Sequence, residues 1–342
     1  MERIRLAVAL GLGMVGAVAP AHAQPVPNQP AAAQPAPTPP AAATTPAAAG
    51  PGWKLVFSDE FDGASLDPAK WTAYADCWGG GNDERECYTP LPENVNVHDG
   101  VLDLTARFQQ ASGPALPVEL RKPDEPVGKA TKPFTSGKVS TRGKFEFTYG
   151  RIEVCARSPL GQGVWPAIWL LPEADHYGVW PGSGEIDVME AVNLGVPCGT
   201  CAGGRQNNVY GTLHYGSSMH HQMQQQAIAL PRGSEGDWHT YRVDWSRDAV
   251  DWYLDGKRYY HLKLGNWRDT LQRGHGPDQS IAKAPFDRPF HLILNLAIGG
   301  LWPESHDQGG VALQGFPKAL AIDWVRIYQC PAGQTCEDAP AH

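Results

Sequence analysis

From Trp53 onward, apolar residues recur at every second position in short runs broken by Gly, Pro, Asn and Asp. A period of two marks strands with one buried face. The runs are Trp53–Phe57, Asn94–His98, Val101–Arg107, Gly137–Val139, Lys144–Phe147, Arg151–Arg157, Val164–Leu171, Asn208–Tyr215, Thr240–Trp245, Ala249–Leu254, Phe290–Ala297 and Ile322–Tyr328. His98-Asp-Gly100 and Asp255-Gly256 supply hairpin-turn chemistry between neighbouring runs. Asp67–Trp71 reads as a single helical turn, and no long helical pattern appears. His220, His221 and the Gln-rich stretch after them read as a solvated loop. Short strands with frequent turns predict an all-β protein, an antiparallel sandwich.

One run breaks the alternation. In Glu185-Ile-Asp-Val-Met-Glu190, Glu185 and Asp187 share a strand face, because side chains repeat every two residues. Glu190 is five residues from Glu185, so strict alternation sends it to the opposite face. One extra residue absorbed in a β-bulge brings all three acids to one side. Their carboxyl groups then approach the separation of about 5–5.5 Å used by retaining glycosidases. An acidic strand is also what a merely solvated face looks like. The aromatic neighbours change that picture: Trp180-Pro181 precedes the acids, and Trp165 and Trp169 share one face of their strand. Indole platforms beside carboxylates suit sugar rings, which offer apolar C–H faces and polar hydroxyls. The same two tryptophans would serve equally as core. His214 alternates with Thr212 and is placed to share the acidic cleft.

The termini add an address. Residues 1–23 have the form of a signal peptide, with Arg3 and Arg5 before the apolar run Leu6–Ala19 and Ala21-His22-Ala23 at the cleavage site. Residues 24–51 are almost entirely Ala, Pro, Gln and Thr, a disordered tether. The catalytic domain is expected at 52–330 and a tail at 331–342. Losing Glu2, Arg3 and Arg5 takes the formal charge from −8 to −9. That balance gives no reason to bind nucleic acid or an anionic membrane. A secreted or periplasmic monomer is expected.

Seven cysteines in an exported chain imply bridges and one odd thiol. Cys77/Cys87, Cys198/Cys201 and Cys330/Cys336 are local pairs, leaving Cys155 on a strand. Cys198-Gly-Thr-Cys201 also has the spacing of half a zinc site or a redox motif, although no second half is evident.

Taken in order, several motifs resemble glycoside hydrolase family 16 in its laminarinase-like branch. They are Ser58-Asp-Glu-Phe61, Asn82-Asp-Glu84, Glu93-Asn-Val95, Tyr149-Gly-Arg-Ile-Glu153, Gly163-Val-Trp-Pro-Ala-Ile-Trp169, the strand Glu185–Glu190, Gly211-Thr-Leu-His-Tyr215, Asn295-Leu-Ala-Ile-Gly-Gly300 and Asp323-Trp-Val-Arg-Ile-Tyr328. The resemblance implies a jelly-roll sandwich with a concave cleft and hydrolysis of β-1,3-glucan with retention. It makes Glu185 the nucleophile, Glu190 the acid/base and Asp187 their assistant. It lines the cleft with Asn94, Trp165, Trp169, Trp180, His214 and Trp302. Catalysis would need no cofactor, while a structural calcium ion would involve Glu60, Gly100 and Asp323. Cys155 stands where the family commonly has arginine. The alternatives are a non-catalytic β-glucan-binding protein, or a hydrolase of the same fold acting on agarose, carrageenan or mixed-linkage glucan.

Overall fold

The computed structural model describes residues 50–217, 219–264, 284–305, 309–331 and 336. The expected signal peptide, nearly all of the tether and most of the tail lie outside the described residues. Two large antiparallel sheets carry the architecture. The first runs, edge to edge, Lys257–Lys263, Ala249–Leu254, Trp238–Trp245, Gly150–Arg157, Lys318–Gln329, Val101–Ala106 and Val95–His98, and Lys54–Asp59 also pairs with Lys318–Gln329. The second runs His220–Ala229, Asn208–Ser217, Glu185–Glu190, Val164–Pro172, Phe290–Ile298, Lys138–Ser140 and Thr72–Ala73.

The sheets bury one core between them. Leu102, Leu104, Ile152 and Val154 of the first sheet and Ile168, Leu170, Ile186 and Leu294 of the second belong to it, all fully buried. Each such side chain contributes about 1.5–3 kcal/mol. Phe290–Ile298 shows how alternation assigns faces: Phe290, Leu292, Leu294, Leu296 and Ile298 enter the core, while His291 and Asn295 point the other way.

Two expected elements differ. Lys144–Phe147 is a turn in which only Phe147 makes an isolated bridge, to Phe290. The alternating Phe145 and Phe147 stack on each other at 5.8 Å in an aromatic ladder, so their period reflects ring packing, not pairing. His220–Ala229 is not a loop but a ten-residue edge strand against Asn208–Ser217. Much of it is exposed on both faces, so no apolar alternation marks it, and a continuous backbone ladder joins it to its neighbour. Asp67–Trp71 does form its turn, with Trp71 N–H donating to the Asp67 carbonyl at 2.9 Å.

The outer face of the first sheet carries paired charge. Asp244 accepts bidentate hydrogen bonds from Arg151 (2.8 and 2.9 Å) and from Arg242 (2.8 and 2.6 Å). Burial alone would raise this carboxyl, but the two guanidiniums outweigh it and hold it below the ordinary range. A depressed carboxyl stabilises the fold above its unfolded pKa, and that contribution is lost as pH falls through the folded value. Asp244→Ala takes the shared carboxylate away from two buried guanidiniums, and we expect a loss of about 3–5 kcal/mol. Urea unfolding at neutral pH measures it; an unchanged midpoint would contradict this account of the ladder.

All three local cysteine pairs are disulfides, and Cys155 is free and buried. Burial, followed by the nearby Asp323 charge, pushes the Cys155 thiol up to about 12, which leaves it unreactive.

Candidate active site

The strand Glu185–Glu190 lies between Val164–Pro172 and Asn208–Ser217, and its register shows the bulge. Glu185 faces His214 and Asp187 faces Thr212, but the next paired residue is Glu190, opposite Tyr210. The other neighbour agrees: Trp169 pairs with Asp187 and Ile168 with Met189. Val188 and Met189 both turn into the core, leaving Glu185, Asp187 and Glu190 on the outer face. Trp252 crosses from the opposite sheet to donate its indole N–H to the Asp187 carbonyl at 2.8 Å, pinning the backbone at the bulge. That crossing explains Gly211, where a Cβ would stand 2.3 Å from the Trp252 ring.

The turn before the strand is held locally. Ser183 Oγ accepts from the Tyr177 N–H and donates to the Gly178 carbonyl. Gly184 has φ +88°, and a Cβ there would press on Phe286 and Pro285 at 3.0 Å. The result delivers Trp180, half exposed, over the first acid.

Each glutamate receives an indole. Trp180 Nε1 donates to Glu185 Oε2 at 2.5 Å, and Trp165 Nε1 donates to Glu190 Oε1 at 3.0 Å. The carboxyls are nevertheless all raised. Burial, then the charge of Asp187, pushes Glu185 up to about 8; burial, then the charge of Glu185, pushes Glu190 up to about 7. Asp187 is driven well above the ordinary range by burial and then by Glu190. Three acids this close share protons and titrate as a unit.

His214 Nε2 lies 3.3 Å from Asp187 Oδ2, and its Nδ1 lies 2.8 Å from His221 Nε2. His221 comes from the edge strand that the sequence disguised, and its ring also packs on Trp180 at 4.9 Å between centroids. Trp302, on the short helix Leu301–Ser305, meets Trp165 edge-on at 5.3 Å and Tyr210 at 5.1 Å. That helix is moored by the Leu301 N–H on the Asn82 carbonyl and by the Glu304–Arg85 ion pair. Trp169 donates to Asn295 Oδ1 at 2.7 Å, Asn295 Nδ2 donates to the Tyr88 hydroxyl at 3.0 Å, and the Lys138 ammonium sits over the Trp169 ring.

Five of the six expected cleft residues thus gather around the acids. Asn94 does not. It is 2% exposed, donates to the Thr105 carbonyl and Thr135 Oγ1, and accepts from Thr89 Oγ1, so its amide is spent on joining chain segments. Tyr210, His221, Asn295 and Lys138 were missed. Tyr210 was open to discovery, since it alternates with Thr212 and His214. The others depend on pairings between distant segments.

A model of glycosyl hydrolases family 16 matches residues 92–324. This chain belongs to glycosyl hydrolase family 16. The chain is 38% identical over 285 residues to a beta-glucanase of Rhodothermus marinus, covering 82% of this chain and 86% of that one. It is 35% identical to glucan endo-1,3-beta-glucosidase A1 of Niallia circulans, over 84% of this chain and 39% of the relative. The crystal structure of the laminarinase from Rhodothermus marinus superposes with a TM-score of 0.63 at 35% identity, covering 81% of this chain and 97% of that one. The jelly roll of family 16 and the paired acids on its strand make the protein a glycoside hydrolase.

Proposed function

We propose that the protein cleaves internal β-1,3 bonds of β-glucan such as laminarin, with retention at the anomeric carbon. The observation that carries this reading is the bulged strand, which sets two glutamates and an aspartate on one face, each glutamate held by an indole. The β-1,3-glucan specificity named for its relatives supports the substrate. In the first step Glu190 gives its proton to the departing glycosidic oxygen while Glu185 attacks the anomeric carbon, forming a glycosyl ester. In the second, Glu190 takes a proton from water, the water oxygen displaces Glu185, and the proton on Glu190 is restored. Two inversions give net retention. No step calls on a cofactor. Trp165 and Trp302, meeting edge to face, offer an apolar wall to sugar rings. Proton NMR of the first product, with reducing-end release from laminarin, lichenan, agarose and carrageenan, tests the reading. Early β-anomer and short oligosaccharides from laminarin are expected; an initial α-anomer, or laminarin left intact, overturns it.

The pH profile should show the shared protons. Activity needs Glu185 charged while Glu190 keeps its proton. The acids titrate as one unit, with Glu185 raised to about 8 and Glu190 to about 7, so both limbs of kcat/KM belong near neutrality and not in the ordinary carboxylate range. Asp187→Asn removes a negative neighbour of Glu185, so the limb that reports Glu185 should move to lower pH by roughly one to two units. A limb that stays put in the variant would show that Asp187 does not act through charge.

The disulfides agree with an oxidising compartment, and no helix among the described residues is long and apolar enough to cross a membrane. We infer export on that basis. For calcium, the fit is partial but real. Asp323 Oδ2 is buried without a hydrogen-bond partner, and the charge of Glu60 raises its carboxyl further after burial. Both carboxylate oxygens of Glu60 are taken by Arg326, so its backbone carbonyl is the oxygen it would offer an ion. Gly100 lies beside Asp62 at the adjoining turn. Asp323, with backbone oxygens at Glu60 and Gly100, offers the hard donors that calcium takes. A bound ion would relieve the unpartnered Asp323 oxygen and stabilise the fold without entering the chemistry. Calcium at 100 times its Kd should add about 2.7 kcal/mol, and a melting temperature indifferent to calcium and to chelator would refute the site.

A further inference from the structure

The cross-strand pair Glu185 and His214 places an imidazole among the catalytic acids, a combination that the double displacement does not require. Glu185, Asp187 and His214 each present one ligand-capable atom, and these atoms lie within 4.8 Å of one another. His214 Nε2 and Asp187 Oδ2 are already 3.3 Å apart. That is about the edge of a tetrahedron whose metal–ligand bonds are about 2.0–2.1 Å long. Asp187 is 1% exposed, and its Oδ2 has no hydrogen-bond partner although it faces the imidazole edge. The far nitrogen of His214 rests on His221 at 2.8 Å, the kind of outer contact that orients ligating imidazoles.

We propose that Glu185, Asp187 and His214 form a site for a zinc-class divalent ion, whose binding excludes glucan and holds the enzyme in a reversible off state. Two carboxylates neutralise the dication. The ring nitrogen favours zinc, copper or nickel over magnesium and calcium, which prefer oxygen alone. Three protein ligands leave one position open toward the cleft, as in three-ligand zinc sites. An ion on Glu185 withdraws charge from its carboxylate and occupies the space into which the anomeric carbon must come, so occupancy and catalysis are mutually exclusive.

Calorimetric titration of Zn2+ into the chelator-treated full chain is the test. One equivalent should bind; His214→Ala should weaken it more than about 100-fold, and His221→Phe by about 10- to 100-fold, the usual effect of losing an outer contact. Circular dichroism confirms that each variant folds. Zn2+ should inhibit competitively, with full recovery on adding EDTA, while equal Mg2+ has no effect. An isotherm unchanged in His214→Ala, or inhibition that saturating substrate does not relieve, overturns the proposal. The binding measurement needs no sugar, so its failure is separable from a failure of the glucan reading.

Discussion

Glu185→Gln should lose turnover by roughly 10⁴- to 10⁶-fold, the scale seen when a covalent nucleophile is removed. The amide is isosteric and can still meet the Trp180 indole, so glucan affinity should survive. Calorimetry with a laminari-oligosaccharide and single-turnover assays would separate the two quantities. Comparable residual activity in the variant would mean that the attacking group lies elsewhere. A second consequence concerns stability and has the opposite sign. Glu185 is raised to about 8 in the folded chain, well above a free carboxyl. A raised carboxyl favours the fold below its unfolded pKa, and that benefit drains away as pH rises toward 8. The dead variant should therefore melt at a higher temperature than the parent at pH 7, and at the same temperature near pH 4.

Glu190→Ala should be nearly as damaging on glucan but selectively so. Acid assistance contributes about 10²- to 10⁴-fold when the leaving group is a sugar hydroxyl. An aryl glycoside with an acidic phenol needs little assistance, so formation of the glycosyl ester should stay fast and its hydrolysis become slow. Azide requires no deprotonation and fits the space vacated by the side chain; it should restore turnover and appear in the product as the β-glycosyl azide. An α-azide would replace double displacement with direct displacement. Equal losses on aryl glycoside and glucan would move the acid role away from Glu190.

The sequence disclosed what short-range periodicity encodes. Acidic residues at 185, 187 and 190 require a bulge to share a face, and the register confirms one there. Cysteines a few residues apart have few other partners within reach, and all three local pairs form. Parity puts His214 on the face of Thr212, and the register sets it opposite Glu185, with Asp187 at 3.3 Å. The failures share a different cause. The resemblance alone puts Asn94 in the cleft, but its neighbours Thr105 and Thr135 arrive from distant segments and close around it. His220–Ala229 has no buried stripe, so nothing in its composition distinguishes a wet edge strand from a loop. The purpose of Gly211 appears only once Trp252 crosses the core to reach it.

The bulge also changes the grammar of the strand that carries it. Before it, odd positions belong to the solvent side and even ones to the interior. After Val188 and Met189 enter the core together, that parity is inverted. Removing one of those two residues would re-phase the strand and keep all three carboxylates facing outward, at the cost of one core side chain. Insertion of a further residue would also restore the outward parity, but in an unbulged strand that carries Glu190 about two strand steps farther from Glu185. The chemistry is thus tolerant of shortening at this point and intolerant of lengthening, an asymmetry through which the catalytic spacing can contract without losing its face.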